Sequence, residues 1–216
     1  MAKAEKDSNK IMSGKVGALT YYVRGGKQYV RQSITKNKSH STKQVRQRSR
    51  FQVCLQSLSP LKEAFREGFA SQIDGARTAF NAGISANMSR AIKTENGNHV
   101  IDWSLVRCSQ GSVPGVENLL ITGTLAQGYT LNWTTAEDQW NARNDDNICL
   151  LCYDTEDAPA PAKFFGRDNA IRKDGAFRFR LPKTMSGHKI EVYVFTVRAD
   201  SPEASETCYY GQLEID

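Results

Sequence analysis

Four groups of residues in this 216-residue chain have types and spacings that chemistry can use: three histidines, five cysteines, several acidic clusters, and a run of cations interleaved with tyrosines. His40, His99 and His188 lie in a basic linker, beside a Gly/Asn turn, and after Ser186-Gly187. None has a second His or Cys at metal-ligand spacing, so they read as solvated loop histidines. Cys54, Cys108, Cys149, Cys152 and Cys208 are odd in number and irregularly spaced, which argues against a disulfide framework and fits a reducing compartment. Cys149-Leu150-Leu151-Cys152 has the C-x-x-C form but sits in an apolar run, Ile148 to Tyr153, that reads as a strand. Residues three apart on a strand face opposite sides, so the two thiols are expected to be buried and structural. No G-x-S-x-G, P-loop or H-E-x-x-H is present, and Gly14 and Gly17 open no helix that would cradle a phosphate. The expectation is no catalytic residue, no cofactor and no bound metal.

The acidic clusters are Glu137-Asp138, Asp145-Asp146 and Asp154-Thr155-Glu156-Asp157. A calcium ion needs about six to eight oxygen ligands, and neighbouring loops can supply some of them. Solvated loops that keep the protein soluble are the simpler reading. A third is contact with the basic segment of another copy, head to tail, which builds rings or filaments.

That basic segment is the strongest feature of the chain. Residues 1–50 hold 13 Lys+Arg and 2 Asp+Glu, a net of +11, whereas residues 51–216 carry a net of −5. No acidic residue occurs between Ser8 and Lys62. Such segregation implies docking onto something negative. Within it, residues 14–34 read as a β-hairpin turning at Gly25-Gly26, a pair that tolerates positive φ. Arg24 then pairs with Lys27, Val23 with Gln28, Tyr22 with Tyr29, Tyr21 with Val30 and Thr20 with Arg31. A period of two places Leu19, Tyr21, Val23, Val30 and Ile34 on one face, with Gln28 and Gln32 toward its edge. That face is expected to pack on the body of the protein. The other face carries Thr20, Tyr22, Arg24, Lys27, Tyr29 and Arg31. It can meet phosphates while the rings stack on bases, lie on an acidic protein surface, or be an ordinary solvated face with two partly buried tyrosines. Lys36 and Lys38 follow in a polar linker, and Lys43, Arg46 and Arg50 step along one exposed helical stripe. The ten candidate contacts are Tyr22, Arg24, Lys27, Tyr29, Arg31, Lys36, Lys38, Lys43, Arg46 and Arg50.

The elements that position these residues are also legible. Ser41 or Thr42 caps a helix over 43–58 whose apolar positions are Phe51, Cys54, Leu55 and Leu58. Ser59 caps a second helix with Pro60 at its first position; Leu61, Phe65 and Phe69 are buried and Gly68 weakens its end. A third opens at Gly75 with the stripe Ala76, Phe80, Ile84, Met88 and Ile92, and Thr94 to Asn98 ends it. Val100 to Val106 reads as a strand, with Trp103 and Leu105 on one face. From Gly111 onward short strands alternate with turns, over Glu117–Thr122, Tyr129–Thr134, Ile148–Tyr153, Lys163–Phe165, Ala176–Leu181, Lys189–Arg198 and Thr207–Glu214. The fold class is therefore α+β: an N-terminal β-hairpin and helical segments over 1–110, then a seven-stranded β-sandwich over 111–216.

Tyr129-Thr130-Leu131-Asn132-Trp133 and Tyr193-Val194-Phe195-Thr196-Val197-Arg198-Ala199 resemble the second and sixth strands of a fibronectin type III domain. The resemblance implies that Trp133 lies deep between the sheets and that Tyr193, Phe195, Val197 and Ala199 are core. Such Ig-like modules imply adhesion, spacing or protein contact. The chain as a whole resembles a domain-of-unknown-function family common in Bacteroidetes-type bacteria. The resemblance is carried by Ser13-Gly14-Lys15-Val16-Gly17, the Gly25-Gly26-Lys27 and Val30-Arg31 hairpin, Gln47-Arg48 with Phe51, Leu58-Ser59-Pro60-Leu61, and Gly111-Ser112-Val113-Pro114-Gly115. It implies no particular activity.

No run of about 18 apolar residues exists to span a bilayer, and the charged start lacks the apolar stretch of a signal peptide. The chain is expected to stay in the cytoplasm, or in a particle assembled there such as a phage, with no membrane partner. The functional expectation is a non-enzymatic structural or interaction protein that docks through its basic hairpin and arm, onto an acidic protein surface or another copy of itself. The alternative is a nucleic-acid-binding protein using the same face. With six to eight phosphates contacted, log K would fall with log salt at a slope of about −5 to −7. An enzyme, with a metal in the acidic loops as its foothold, is a third class.

Overall fold

In a computed structural model the described residues are 12–24, 26–33, 41–135, 140–157 and 162–216. The chain divides into two compact units. One holds the described residues up to Arg46 with Asp74–Ala76; the other holds Gln47–Ile73 and Arg77–Asp216.

The first unit contains one antiparallel sheet of β1 (Gly14–Val16), β2 (Leu19–Arg24) and β3 (Lys27–Gln32), in that spatial order. The register of β2 on β3 is the expected one, from Thr20 opposite Arg31 to Arg24 opposite Lys27. Gly26 has φ +74°, as the tight turn demands; Gly25 lies outside the described residues. Strand β1 is a separate element that hydrophobic alternation did not reveal. Gly17, at φ +58°, turns the chain so that Val16 faces Leu19 and Lys15 faces Thr20.

Helix α1 (Thr42–Leu58) is capped by Ser41, whose Oγ accepts from the Gln44 backbone N–H at 3.3 Å while Gln44 Oε1 accepts from the Ser41 N–H at 3.2 Å. This reciprocal box satisfies two donors at the helix start. Of its apolar positions Cys54 and Leu58 are buried, whereas Phe51 is 48% exposed. Ser59 does not cap the following helix. Its hydroxyl donates back to Leu55 O, and a 3-10 turn, Ser59–Leu61, leads straight into α2 (Lys62–Gly68). Helix α2 ends at Gly68 as expected, and Gly68 is also a point of close approach: a Cβ there would sit 2.2 Å from Cys108 O. Gly75 does not open the third helix, because its φ of +53° is left-handed. Helix α3 (Ala79–Met88) starts after Thr78, whose Oγ1 accepts from the Asn81 N–H.

Ile92, expected on the helical stripe, begins a hairpin of β4 (Ile92–Glu95) and β5 (Asn98–Ile101). Asn96 and Gly97 both take positive φ and form its two-residue turn, so the segment from Thr94 to Asn98 reverses a strand and ends no helix. The strand expected as far as Val106 stops at Ile101. Asp102 caps a 3-10 turn, Trp103–Leu105, by accepting from the Ser104 N–H at 3.1 Å, and Leu105 is exposed.

Two further antiparallel sheets complete the second unit. One has the order β10 (Ala176–Phe179), β7 (Gly128–Thr134), β6 (Glu117–Thr124); the other has β12 (Cys208–Glu214), β11 (Lys189–Val197), β8 (Asn147–Asp154), β9 (Lys163–Phe165). Alternate residues of the two central strands enter different cores. Ile148, Leu150 and Cys152 of β8 and Ile190, Val192 and Val194 of β11 cluster with Tyr129, Leu131, Trp133 and Phe179 of the facing sheet. Cys149, Leu151 and Tyr153 of β8 and Tyr193, Phe195 and Val197 of β11 cluster with Leu58, Leu61, Phe65 and Phe69 from the helices. The larger sheet is thus covered on both faces, which is why its central strands read as continuous apolar runs. Trp133 lies between the sheets as expected. Tyr193, Phe195 and Val197 are buried against helices, and Ala199 is exposed, because the strand ends at Val197.

Candidate functional site

The cation-bearing face of the β1–β3 sheet forms as the alternation predicts, and it is larger than predicted. Lys15, Thr20, Tyr22, Arg24, Lys27, Tyr29 and Arg31 share it through the registers of β1 on β2 and β2 on β3. Lys15 is the added member: β1 is only three residues long, too short for its alternation to mark a strand. Tyr22 and Tyr29 are a directly opposed cross-strand pair with ring centroids 5.6 Å apart and planes 20° from parallel. The Arg31 guanidinium carbon lies 5.5 Å from the Tyr22 ring centroid, a cation–π contact. Tyr22 therefore has both a second ring and a guanidinium as β3 neighbours.

The opposite face carries Val16, Leu19, Tyr21, Val23 and Val30. Its expected burial is not observed: Val16 is 52%, Leu19 41%, Val23 43% and Val30 50% exposed. None of the described residues from Met12 to Ser33 is buried. A three-stranded sheet is stabilised mainly by the apolar area one of its faces removes from water, and here that face leaves its Val and Leu side chains about half exposed.

Lys43 and Arg46 are exposed on the first turns of α1, as expected. Arg50 is committed elsewhere, since its Nη2 donates at 2.5 Å to Met88 O at the C-terminal end of α3. A guanidinium there complements the helix dipole and satisfies an end carbonyl. Arg50 is therefore a packing residue, whereas Tyr22, Arg24, Lys27, Tyr29 and Arg31 are brought together on one surface. Lys36 and Lys38 lie outside the described residues.

The remaining chemical candidates resolve into structure. Cys149 and Cys152 point into different cores, as the strand reading requires. Burial holds Cys108, Cys149 and Cys152 far above the ordinary thiol range and pushes Cys54 up to about 11, against a smaller opposing pull from Arg50. Thiolate chemistry is suppressed at all four. Cys208 is exposed. Among the described residues no three His, Cys, Asp or Glu side chains converge as a metal site, and no helix is long and apolar enough to cross a membrane.

The acidic loops are not simply solvated. Glu137 and Asp138 lie outside the described residues, but Asp146 is completely buried. It accepts from Arg198 Nη1 at 2.8 and 3.1 Å, from Arg172 Nε at 3.4 Å and from the Arg143 backbone N–H at 2.9 Å. Arg172 also donates to Gly115 O and Pro114 O, Arg198 to Asn141 O, and Trp133 Nε1 donates to Arg172 O. One carboxylate thus ties together the loops that close the end of the sandwich. Nothing in the local sequence marks it, since its partners lie 26 and 52 residues away. Asp154 is also buried. It accepts from the backbone N–H groups of Glu156 and Asp157 and pairs with His188 Nδ1 at 2.6 Å, so His188 is not the free loop histidine expected. That hydrogen bond raises the pKa of His188. Burial alone would raise that of Asp154, but the donors, His188 foremost, bring it below the usual carboxylate value.

The chain shows 17% identity to the fn3 domain of human collagen alpha-1(XX) chain, with 50% of this chain and 90% of that one covered at a TM-score of 0.35. No curated protein matches. A model described as a family of unknown function, DUF6266, matches residues 11–211, and the chain belongs to that family.

Proposed function

We propose that this protein is a non-enzymatic interaction module, and that the β1–β3 sheet docks onto the acidic part of a second copy, head to tail, as a building unit of a larger assembly formed inside the cell. The observation that carries this reading is the sheet itself. It presents Lys15, Arg24, Lys27 and Arg31 around two stacked tyrosines on one face and four exposed Val and Leu side chains on the other. Tyr and Arg are favoured anchors at protein interfaces, and a covered apolar face would supply the stability the isolated sheet lacks. The acidic partner is present in the sequence, since residues 51–216 carry a net of −5 against +11 in residues 1–50. The rest of the chain is then the rigid spacer, a fibronectin III-like sandwich backed by helices.

Nucleic-acid binding by the same face is the competing reading. Base stacking needs a free ring face, and Tyr22 already has Tyr29 beside it and Arg31 over it. That favours a protein partner. Sedimentation velocity at low and high salt, with an anisotropy titration against short DNA and RNA alongside, tests the choice. The proposal expects concentration-dependent association at low salt that Arg24→Ala/Lys27→Ala/Arg31→Ala abolishes. A monomer at all concentrations, together with tight DNA or RNA binding whose salt slope the same variant flattens, would overturn it.

A further inference from the structure

A second site lies on the larger unit. Between the β4–β5 hairpin, the Trp103–Leu105 turn and strands β11 and β12 there is a cleft of about 350 Å³. Lys93, Asp102, Trp103, Glu191, Tyr209 and Gln212 are among its lining residues. Glu191 is the unusual member. Its position on β11 places it on the helix-covered face of the sheet, two residues before Tyr193, and it is only 3% exposed. Its Oε2 accepts from Tyr209 Oη at 2.6 Å and its Oε1 from Gln212 Nε2 at 3.0 Å. Both donors are neutral. Among the described residues no Lys or Arg pairs with it, and the one cation lining the cleft, Lys93, is committed to Asp102.

A buried carboxylate without a countercharge is costly, and the cost falls when a cation reaches it. Each carboxylate oxygen offers about two acceptor positions. One on each oxygen of Glu191 is occupied, which leaves one on each. A guanidinium fork uses that pair of positions. Trp103 and Tyr209 line the same cleft, and an aromatic wall favours a planar, weakly hydrated cation over a compact ammonium. We infer that this cleft is a binding site for a single guanidinium group, held by Glu191 against Trp103 and Tyr209. The inference stands whether or not the β1–β3 sheet docks on a second copy.

The test is a titration of the full-length protein with ethylguanidinium, read on the Trp indole N–H resonances by NMR, with neutral ethylurea as the isosteric control. The Trp103 signal is assigned by its loss in Trp103→Phe. Binding should move the Trp103 resonance saturably while leaving those of Trp133 and Trp140 in place, and ethylurea should have no effect. Glu191→Gln, which keeps an acceptor for Tyr209, should weaken binding about tenfold or more. The inference fails if ethylguanidinium leaves Trp103 unmoved, if ethylurea moves it equally, or if Glu191→Gln binds as tightly as the parent. The ethylurea comparison uses the parent protein alone, so it decides the matter even if Glu191→Gln does not fold. Two sources of the group are separable. If an arginine of a second copy fills the cleft, ethylguanidinium will dissolve the low-salt association; if a free guanidino compound does, the protein will bind ethylguanidinium while sedimenting as a monomer.

Discussion

Replacing Asp146 by Ala should be among the most damaging single changes in this protein, and the structure sets the scale. Asp146 is 0% exposed, and Arg172 and Arg198 are 2% and 1% exposed. The trio buries two positive charges against one negative, the balance being met by the carbonyls of Pro114, Gly115 and Asn141. Removing the carboxylate strands both guanidinium groups and leaves the Arg143 N–H without its acceptor. Breaking a buried pair this way costs about 3–5 kcal/mol, where replacing the whole set by apolar groups of similar volume is often neutral. For a unit of this size about 1 kcal/mol moves Tm by about 2–4 °C, so Asp146→Ala should lower Tm by about 6–20 °C. A thermal melt followed by circular dichroism reads it directly. In the Asp146→Ala background, Arg198→Met removes one stranded charge and should recover part of the loss. A fall in Tm below about 2 °C, or further destabilisation by Arg198→Met, would refute the electrostatic account and leave Asp146 as an ordinary packing residue.

Gly68→Ala should cost about 1–3 kcal/mol by overpacking, because its Cβ would meet Cys108 O at 2.2 Å, whereas Gly115→Ala, with nothing within 4 Å, should melt like the parent. The His188–Asp154 pair should make stability depend on pH in a defined direction. His188 has a raised pKa, so its contribution is complete below the unfolded value of about 6.5 and is lost as pH rises through the folded one; Asp154 has a lowered pKa, so its share is lost as pH falls below about 3.9. The Tm gap between parent and His188→Gln should therefore be widest at mildly acidic pH and narrow above neutrality, and an unchanging gap from pH 5.5 to 8.5 would count against the pairing. A thiol reagent should label Cys208 in the native protein and Cys54, Cys108, Cys149 and Cys152 only after unfolding; fast native labelling at Cys108 or Cys152 would contradict their burial.

Local order was largely written in the sequence. The pairing of β2 with β3 follows from a two-residue glycine turn and a period of two, both properties of neighbouring residues. The same holds for a cap at Ser41 or Thr42, which falls to Ser41, and for the opposed placement of Cys149 and Cys152. Where a local pattern has two solutions, neighbouring residues do not choose between them. The apolar spacing from Ala76 to Ile92 fits a helix throughout, yet Gly75 at positive φ delays its start and the Asn96-Gly97 turn takes Ile92 into a hairpin. What only the tertiary structure decided is which residues meet across long separations. A continuous apolar strand does not say which face receives helices and which receives a second sheet. An acidic dipeptide at 145–146 does not announce that Arg172 and Arg198 will converge on one of its carboxylates in the interior. Period and propensity act over a few residues, whereas burial and charge pairing depend on which surfaces the whole chain brings together. The alternation on the β1–β3 sheet prescribed an apolar face, but whether anything covers that face was never in the residues that form it.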